Sequence, residues 1–502
     1  MIGSDNSFKQ KYGKFILPLV LIAAFLLLYA VTGYKIHIDS HQYIAMHIRR
    51  DPVYPLFLFL LRRIFGEGTT YLYAAGMIQS IFNALAVWYF ASSLTKLLCR
   101  RKWFMGVAIF VACIPYALTG IFSVTRIQLA GDILSESFTY PLFLCIFVIL
   151  LKLLVEKEKT IYKDAHAYVS FLVILLITLI RGQVMALIVV WMLAVLYRVI
   201  GECFGASNKQ ELPQSAPKAG GTVLKCVFGV LIVMATMGIF FVGRTALLKS
   251  YGLLIIGRYE THPNLANFAL SHVLYVSDRA DADKVPDTLI ADIVEDDYGN
   301  ELPELTLRDL FLRMCDKMEE MQWNMAYESG SFFERSTYMD SCNDPLKFKV
   351  IENTYVELVK PSVPDYILLD LIENDLSAVI IKALLPSVIT PWLTVYARHV
   401  FFGSISSIGL TKPLLVPVFL VIYAAALFMM VCAFRSASRK TNHAPAMAMA
   451  LSLVIIAGFS SSISLMHFCI PRYMFYPFPC FYVSFAALFV SLYMSEKKET
   501  TP

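Results

Sequence analysis

"FILPLVLIAAFLLLYAVT", Phe15 to Thr32, runs 18 residues without a charge. A helix rises about 1.5 Å per residue, so roughly 20 apolar residues cross the hydrocarbon core of a bilayer. Nine further apolar runs follow, near 71–94, 104–122, 140–155, 167–180, 184–200, 223–242, 413–434, 446–465 and 475–494. They are continuous in Leu, Ile, Val and Phe, without the period-two alternation of a membrane barrel. Backbone in hydrocarbon must satisfy its own hydrogen bonds, so the runs are expected as helices. The composition agrees: of 502 residues, 58% are hydrophobic and 16% charged, with mean hydropathy +0.62. The expected fold is an all-α polytopic membrane protein of about ten transmembrane helices. Phe15–Thr32 is read as a retained span, because it is long for a signal-peptide core and lacks a small-x-small cleavage site.

The net charge of +5 conceals an asymmetry. Residues 244–375 hold 25 of the 38 acidic residues but 12 of the 43 basic ones. That segment reads as a polar insert, and within it "LTLRDLFLRMCDKMEEMQ" places Leu307, Leu310, Phe311 and Met314 at helical spacing. Around the insert, basic residues cluster beside alternate ends of the spans. Lys9, Lys11 and Lys14 precede the first, and "KLLCRRK", "EKEKTIYK", "ASNKQELPQSAPKAGG", "FRSASRK" and "SEKKETTP" follow later ones. Ten spans put all six groups on one side, so both termini are expected in the cytoplasm and the insert outside. Four regions result: an N-terminal membrane module 1–243, a mostly helical extracytoplasmic insert 244–377, a surface or re-entrant segment 378–411 broken by Pro386, Pro391 and Gly403, and a C-terminal membrane module 412–502. The basic excess belongs to this sidedness, and no aromatic-interleaved basic stretch points to nucleic acid.

On this topology several polar stretches share the outer face. "KIHIDSHQYIAMHIRRDPVYPLFLFLL", Lys35 to Leu61, is the first outer loop, and "TRIQLAGDILSESFTYPLFL" carries Arg126, Asp132 and Glu136. Arg181 sits at the tip of a tight hairpin, and "HFCIPRYMFYPFP" begins the last span with Arg472 and Tyr473. Ionisable groups near membrane depth are costly and point to function, against the alternative of headgroup-level anchoring.

Taken in order, these stretches resemble bacterial GT-C-type glycosyltransferases, relatives of protein O-mannosyltransferases and lipid A aminoarabinose transferases. The likeness rests on Asp-Ser-x-x-Tyr after the first span, "RRDPVYPLFLFLLRRIFG", the Gln-bearing "AAGMIQSIFNALAVW", "ILSESFTYPLFL", "LITLIRGQ" and "IPRYMFYPFP". It covers the membrane part, about two-thirds of the chain, and leaves the insert unmatched. The resemblance implies a GT-C-like bundle and a polyprenyl-phosphate-sugar donor. The acceptor would be an extracytoplasmic glycan, lipid or protein. Asp39 is the expected base, with a helix cap as its structural alternative. Glu136 is the second acid, with a plain helix-start role as the alternative. Arg181 and Arg472 are the expected lipid-phosphate ligands, with Tyr473, Arg126 and Arg50 as further donors. Tyr43 and Tyr54 would line the substrate or belong to the aromatic belt. Many relatives carry two acids where this chain has Asp39-Ser40, which removes the second ligand or acid of a two-acid or metal-dependent loop.

His37 and His41 at i, i+4 invite a metal reading, but no Glu completes a His-Glu-x-x-His pattern, and no cofactor is expected. No G-x-G-x-x-G or Walker A sequence is present to bind a nucleotide. The competing functions are an O-antigen-type polymerase or ligase and a lipid-linked glycan transporter or flippase. A transporter would place charges near span midplanes and pair broken helices by repeat, and neither pattern is visible.

Overall fold

A computed structural model describes residues 4–121, 129–156, 160–205, 219–261, 265–291, 304–321, 345–363, 365–406, 416–435, 439–464 and 475–499. Its α-helices are α1 (Ser4–Thr32), α2 (Ile38–Ile44), α3 (Val53–Phe65), α4 (Thr70–Leu94), α5 (Lys102–Ile121), α6 (Glu136–Val155), α7 (Ala165–Thr178), α8 (Ala186–Gly205) and α9 (Ala219–Ile256). They continue with α10 (Leu265–Val276), α11 (Leu307–Glu320), α12 (Asn353–Leu358), α13 (Tyr366–Ser406), α14 (Val416–Arg435), α15 (Arg439–Ser464) and α16 (Phe478–Glu499). Among the described residues, eight helices are long and apolar enough to cross a membrane. The chain is a helical, polytopic membrane protein. Seven of these eight helices coincide with expected apolar runs, and α13 supplies the eighth through Leu368–Thr394. The other three of the ten expected runs, near 104–122, 167–180 and 475–494, fall on shorter apolar stretches, Lys102–Tyr116, Ala165–Thr178 and Phe478–Tyr493.

The chain divides into two compact units. The first contains Met1–Tyr259, Pro417–Phe459 and Met474–Pro502. Its centre is α4, which packs against α1, α5 and α6. Lipid is as apolar as leucine, so helices in a membrane associate through small residues and hydrogen bonds. One face of α4 supplies both. Ala75, Gly76, Gln79, Ser80, Asn83 and Ala84 are buried along it. Gln79 Nε2 donates to the Asp132 carbonyl at 2.9 Å, and Asn83 Nδ2 to the Ser137 carbonyl at 3.0 Å. The segment entering α6 is thereby fixed to α4.

At the far ends of these helices lies a buried guanidinium. Arg198 on α8 is 2% exposed, pairs with Asp164 at 3.2 Å, and donates to the carbonyls of Leu153 and Glu156. Asp164 also caps α7, accepting from the His166 amide at 3.0 Å. One ion pair thus joins the end of α6, the start of α7 and the last turns of α8.

The second unit contains Glu260–Val416 and Ser460–Tyr473. Here α11 forms as its spacing predicts, with Leu307, Leu310, Phe311 and Met314 buried. A reciprocal cap starts it: Thr306 Oγ1 accepts from the Asp309 amide at 3.2 Å, and the Asp309 carboxylate accepts from the Thr306 amide at 3.1 Å. A short antiparallel pair, β1 (Leu289–Ala291) with β2 (Leu305–Thr306), precedes it, a small departure from an all-α reading. The core is closed by α10 and α13, and a buried chain of hydrogen bonds runs through it. Glu373 accepts from Asn267 at 3.2 Å, Ser377 donates to Asn267 at 2.5 Å, and Tyr355 meets Ser377 at 2.9 Å.

Two sequence boundaries fall elsewhere in the structure. The division at 243/244 lies inside α9, because nothing between Val242 and Ile256 breaks a helix; α9 stops at Gly257, whose φ of +69° suits the residue after a helix end. The break expected at Pro386 and Pro391 is absent, and α13 continues through both. Proline removes one N–H and kinks a helix, but tertiary packing holds this one, with Ile380, Leu384 and Val388 buried in the second unit's core. The division at 377/378 consequently falls within α13, beside the buried Ser377.

Candidate active site

Three segments of the first unit converge: the loop after α1, the segment entering α6, and the α7–α8 turn. Backbone pairing joins the first two. Lys35 N donates to the Gly131 carbonyl at 3.2 Å, and Ile133 N donates to the Lys35 carbonyl at 3.0 Å. Gly131 is required there, since a Cβ would lie 2.5 Å from the Gly33 carbonyl oxygen. Joining the first loop to the turn is Asp51. Its Oδ2 accepts from the Gly182 amide at 2.7 Å, and its Oδ1 pairs with Arg244 of α9 at 3.2 Å. Burial raises the Asp51 carboxyl above its ordinary value, although Arg244 and the Gly182 amide oppose the rise.

The short α2 presents Asp39, Gln42 and Tyr43 at i, i+3 and i+4, hence on one face. The Arg50 guanidinium lies over that face, with Nη2 2.7 Å from Asp39 Oδ1 and Nε donating to Gln42 Oε1 at 2.8 Å. It also stands 4.9 Å from the Tyr43 ring centroid. Burial works against the Arg50 charge, but Tyr43 and Asp39 outweigh it, so its affinity for the proton is raised. The helix-cap alternative for Asp39 does not describe this geometry. His37 holds the cap position, and its amide donates to Ser40 Oγ at 2.8 Å.

Tyr43 carries the network onward, its hydroxyl 2.9 Å from Ser135 Oγ. Arg181 Nη1 donates to the same Ser135 oxygen at 3.1 Å and pairs with Glu136 Oε2 at 2.8 Å. Gln183 fixes the other side of that guanidinium, accepting from Arg181 Nε at 2.6 Å. An acid–arginine pair between α2 and the connection that follows it, and another between α6 and the hairpin, are thus linked through one tyrosine and one serine. They differ in access: the Asp39 side chain is 32% exposed, and that of Glu136 is 1% exposed.

Beneath them, Tyr43 and Tyr54 pack edge to face with centroids 5.2 Å apart, within a cluster that includes Leu58, Ala75 and Ile133. Both rings are buried, so they support the loop from below and do not line an open surface. Gln79 reaches the Tyr54 hydroxyl at 3.4 Å. Asp132 is buried as well, 3.3 Å from His37 Nε2, with neither carboxylate oxygen hydrogen-bonded. Burial raises its carboxyl above the ordinary value, with His37 opposing.

Of the residues expected from sequence, Asp39, Glu136, Arg181, Arg50, Tyr43 and Tyr54 come together; Arg126, Arg472 and Tyr473 lie outside the described residues. Asp51, Ser135 and Arg244 were not singled out. Asp51-Pro52 reads as an ordinary helix start, and Arg244 reads as the first residue of the insert, so neither carried a signal. Among the described residues, no three His, Cys, Asp or Glu side chains gather as a metal-binding group. The chain matches no family model, no curated protein and no solved structure.

Proposed function

We propose that this protein is a membrane glycosyltransferase that moves a sugar from a polyprenyl-phosphate donor to an extracytoplasmic glycan, lipid or protein acceptor. The observation that carries the reading is the linked arrangement of an accessible acid, Asp39, with two guanidinia, Arg50 and Arg181, where three connecting segments meet. The acceptor hydroxyl attacks C1 of the sugar, and the C1–O bond to phosphate breaks. Asp39 takes the hydroxyl proton, and the lipid phosphate leaves as a stable anion, so no general acid is needed. Attack opposite the departing phosphate in one displacement inverts the anomeric centre.

In this mechanism Arg50 and Arg181 stabilise the charge that develops on the phosphate. Arg50 exchanges its Asp39 contact for the donor phosphate, which frees the carboxylate to act as base. Glu136, enclosed beside Arg181, holds that guanidinium in place. The substitution Asp39→Asn keeps size and removes the base. Mass spectrometry of envelope glycans from cells carrying only this variant should show the product lost, with the protein still inserted and monodisperse. Transfer at the wild-type level would remove Asp39 from the role.

A further inference from the structure

The last turn of α4 does not close as an ordinary helix. Residues Thr95–Cys99 widen into a π-helix, and Arg100 turns back with φ +51°, its amide donating to the Thr95 carbonyl at 2.6 Å. Two residues later α5 begins. This reversal brings Thr95, Lys96, Arg100, Arg101, Lys102 and Met105 around one concavity of about 450 Å³. Among the described residues, no carboxylate lines it, and Lys96, Arg100 and Lys102 make no ion pair. The position is the far end of α4 from the candidate active site, about 35 Å along the helix from Thr70.

Sidedness alone asks only that basic residues flank a span. It does not gather four cations around a hollow at the start of a 20-residue helix. We infer that this concavity is a binding site for a phosphate group, supplied by the headgroup of an anionic phospholipid. The lipid is favoured over a free phosphate because the hollow lies at the end of an apolar helix, beside the exposed Trp103 and with Met105 in its wall. The inference is independent of the proposed transfer reaction.

The test measures binding to purified full-length protein in detergent by native mass spectrometry. The probes are dioctanoyl phosphatidylglycerol, dioctanoyl phosphatidylcholine and glycerol phosphate. Each cation near such a headgroup is worth about fivefold in affinity, so Arg100→Gln with Lys102→Gln should weaken phosphatidylglycerol binding on the order of 25-fold. Arg62→Gln with Arg63→Gln, an equal charge change at the end of α3, should leave it unchanged. Equal loss in both double variants, or in neither, overturns the site. Phosphatidylcholine binding as tightly as phosphatidylglycerol does the same. Glycerol phosphate binding as tightly as the lipid would overturn the lipid as the source. Should the Arg100 and Lys102 variant aggregate, Lys96→Gln reads the same effect at about fivefold.

Discussion

Asp39 and Glu136 both stand in the first turn of a helix and both pair with an arginine, yet their burial gives them different work. An acid one-third exposed can meet an acceptor hydroxyl, whereas an enclosed one can only orient its partner. A buried pair costs most when one member is removed, because the other is left as an uncompensated charge. Glu136→Gln and Arg181→Gln should therefore each lower stability by about 3–5 kcal/mol, and the double variant by less than either. Thermal unfolding in detergent checks this; additive losses would mean the two charges do not act as a pair. Asp132 behaves in the opposite sense. Its carboxyl is raised by burial, so the folded chain holds the proton more tightly than the unfolded one. The stability this provides is present below the ordinary carboxylate range and is lost as pH rises through the raised value. Asp132→Asn should then gain stability relative to wild type as pH rises, measured as melting temperature across that window. A gap that narrows or reverses with rising pH would show that the charged carboxylate is favoured in place.

The elements that carry the site were readable where one rule of local chemistry sufficed. Long apolar runs became helices, and the spacing of Leu307, Leu310, Phe311 and Met314 marked α11. The first outer loop was readable as polar, and its acid could be named. Its division into α2 and α3 around Asp51 was not readable, since that carboxylate is defined by a hairpin 131 residues later and by Arg244 on a fifth helix. Proline in α13 misled for a related reason: local breaking strength yields to a buried face. Arg198 shows the same dependence on distant partners. Sequence places it near the end of an apolar run, where snorkelling to the surface is the ordinary expectation. Instead it is enclosed by the ends of three helices. Arg198→Met would leave Asp164 with a weakened set of partners and the last carbonyls of α6 without a donor. A loss on the order of 3–5 kcal/mol is expected, seen as a lower melting temperature in detergent. An unchanged melting temperature would mean that this ion pair repays no more than its own desolvation.

At the scale of the whole chain, the open choice is whether α13 crosses the membrane. Its Leu368–Thr394 stretch is long and apolar enough. One face is nevertheless committed elsewhere: Leu369, Ile380, Leu384 and Val388 belong to the second unit's core, and Glu373 and Ser377 join the buried hydrogen bonds to Asn267 and Tyr355. Pulling this helix through hydrocarbon would strip those polar groups of their partners, at a cost of several kcal/mol for an unpaired charge. A crossing there would also carry "FRSASRK" to the outer side and reverse the C-terminus, against the bias of the other basic loops. Holding α13 on one side keeps the ten spans expected from the sequence and predicts both termini in the cytoplasm. A C-terminal fluorescent protein that folds only in the cytoplasm should then be bright, and alkaline phosphatase at the same position inactive. Active phosphatase with a dark fluorescent fusion would place the C-terminus outside, make α13 a span, and require the positive charges after α14 to be held outside by some other interaction.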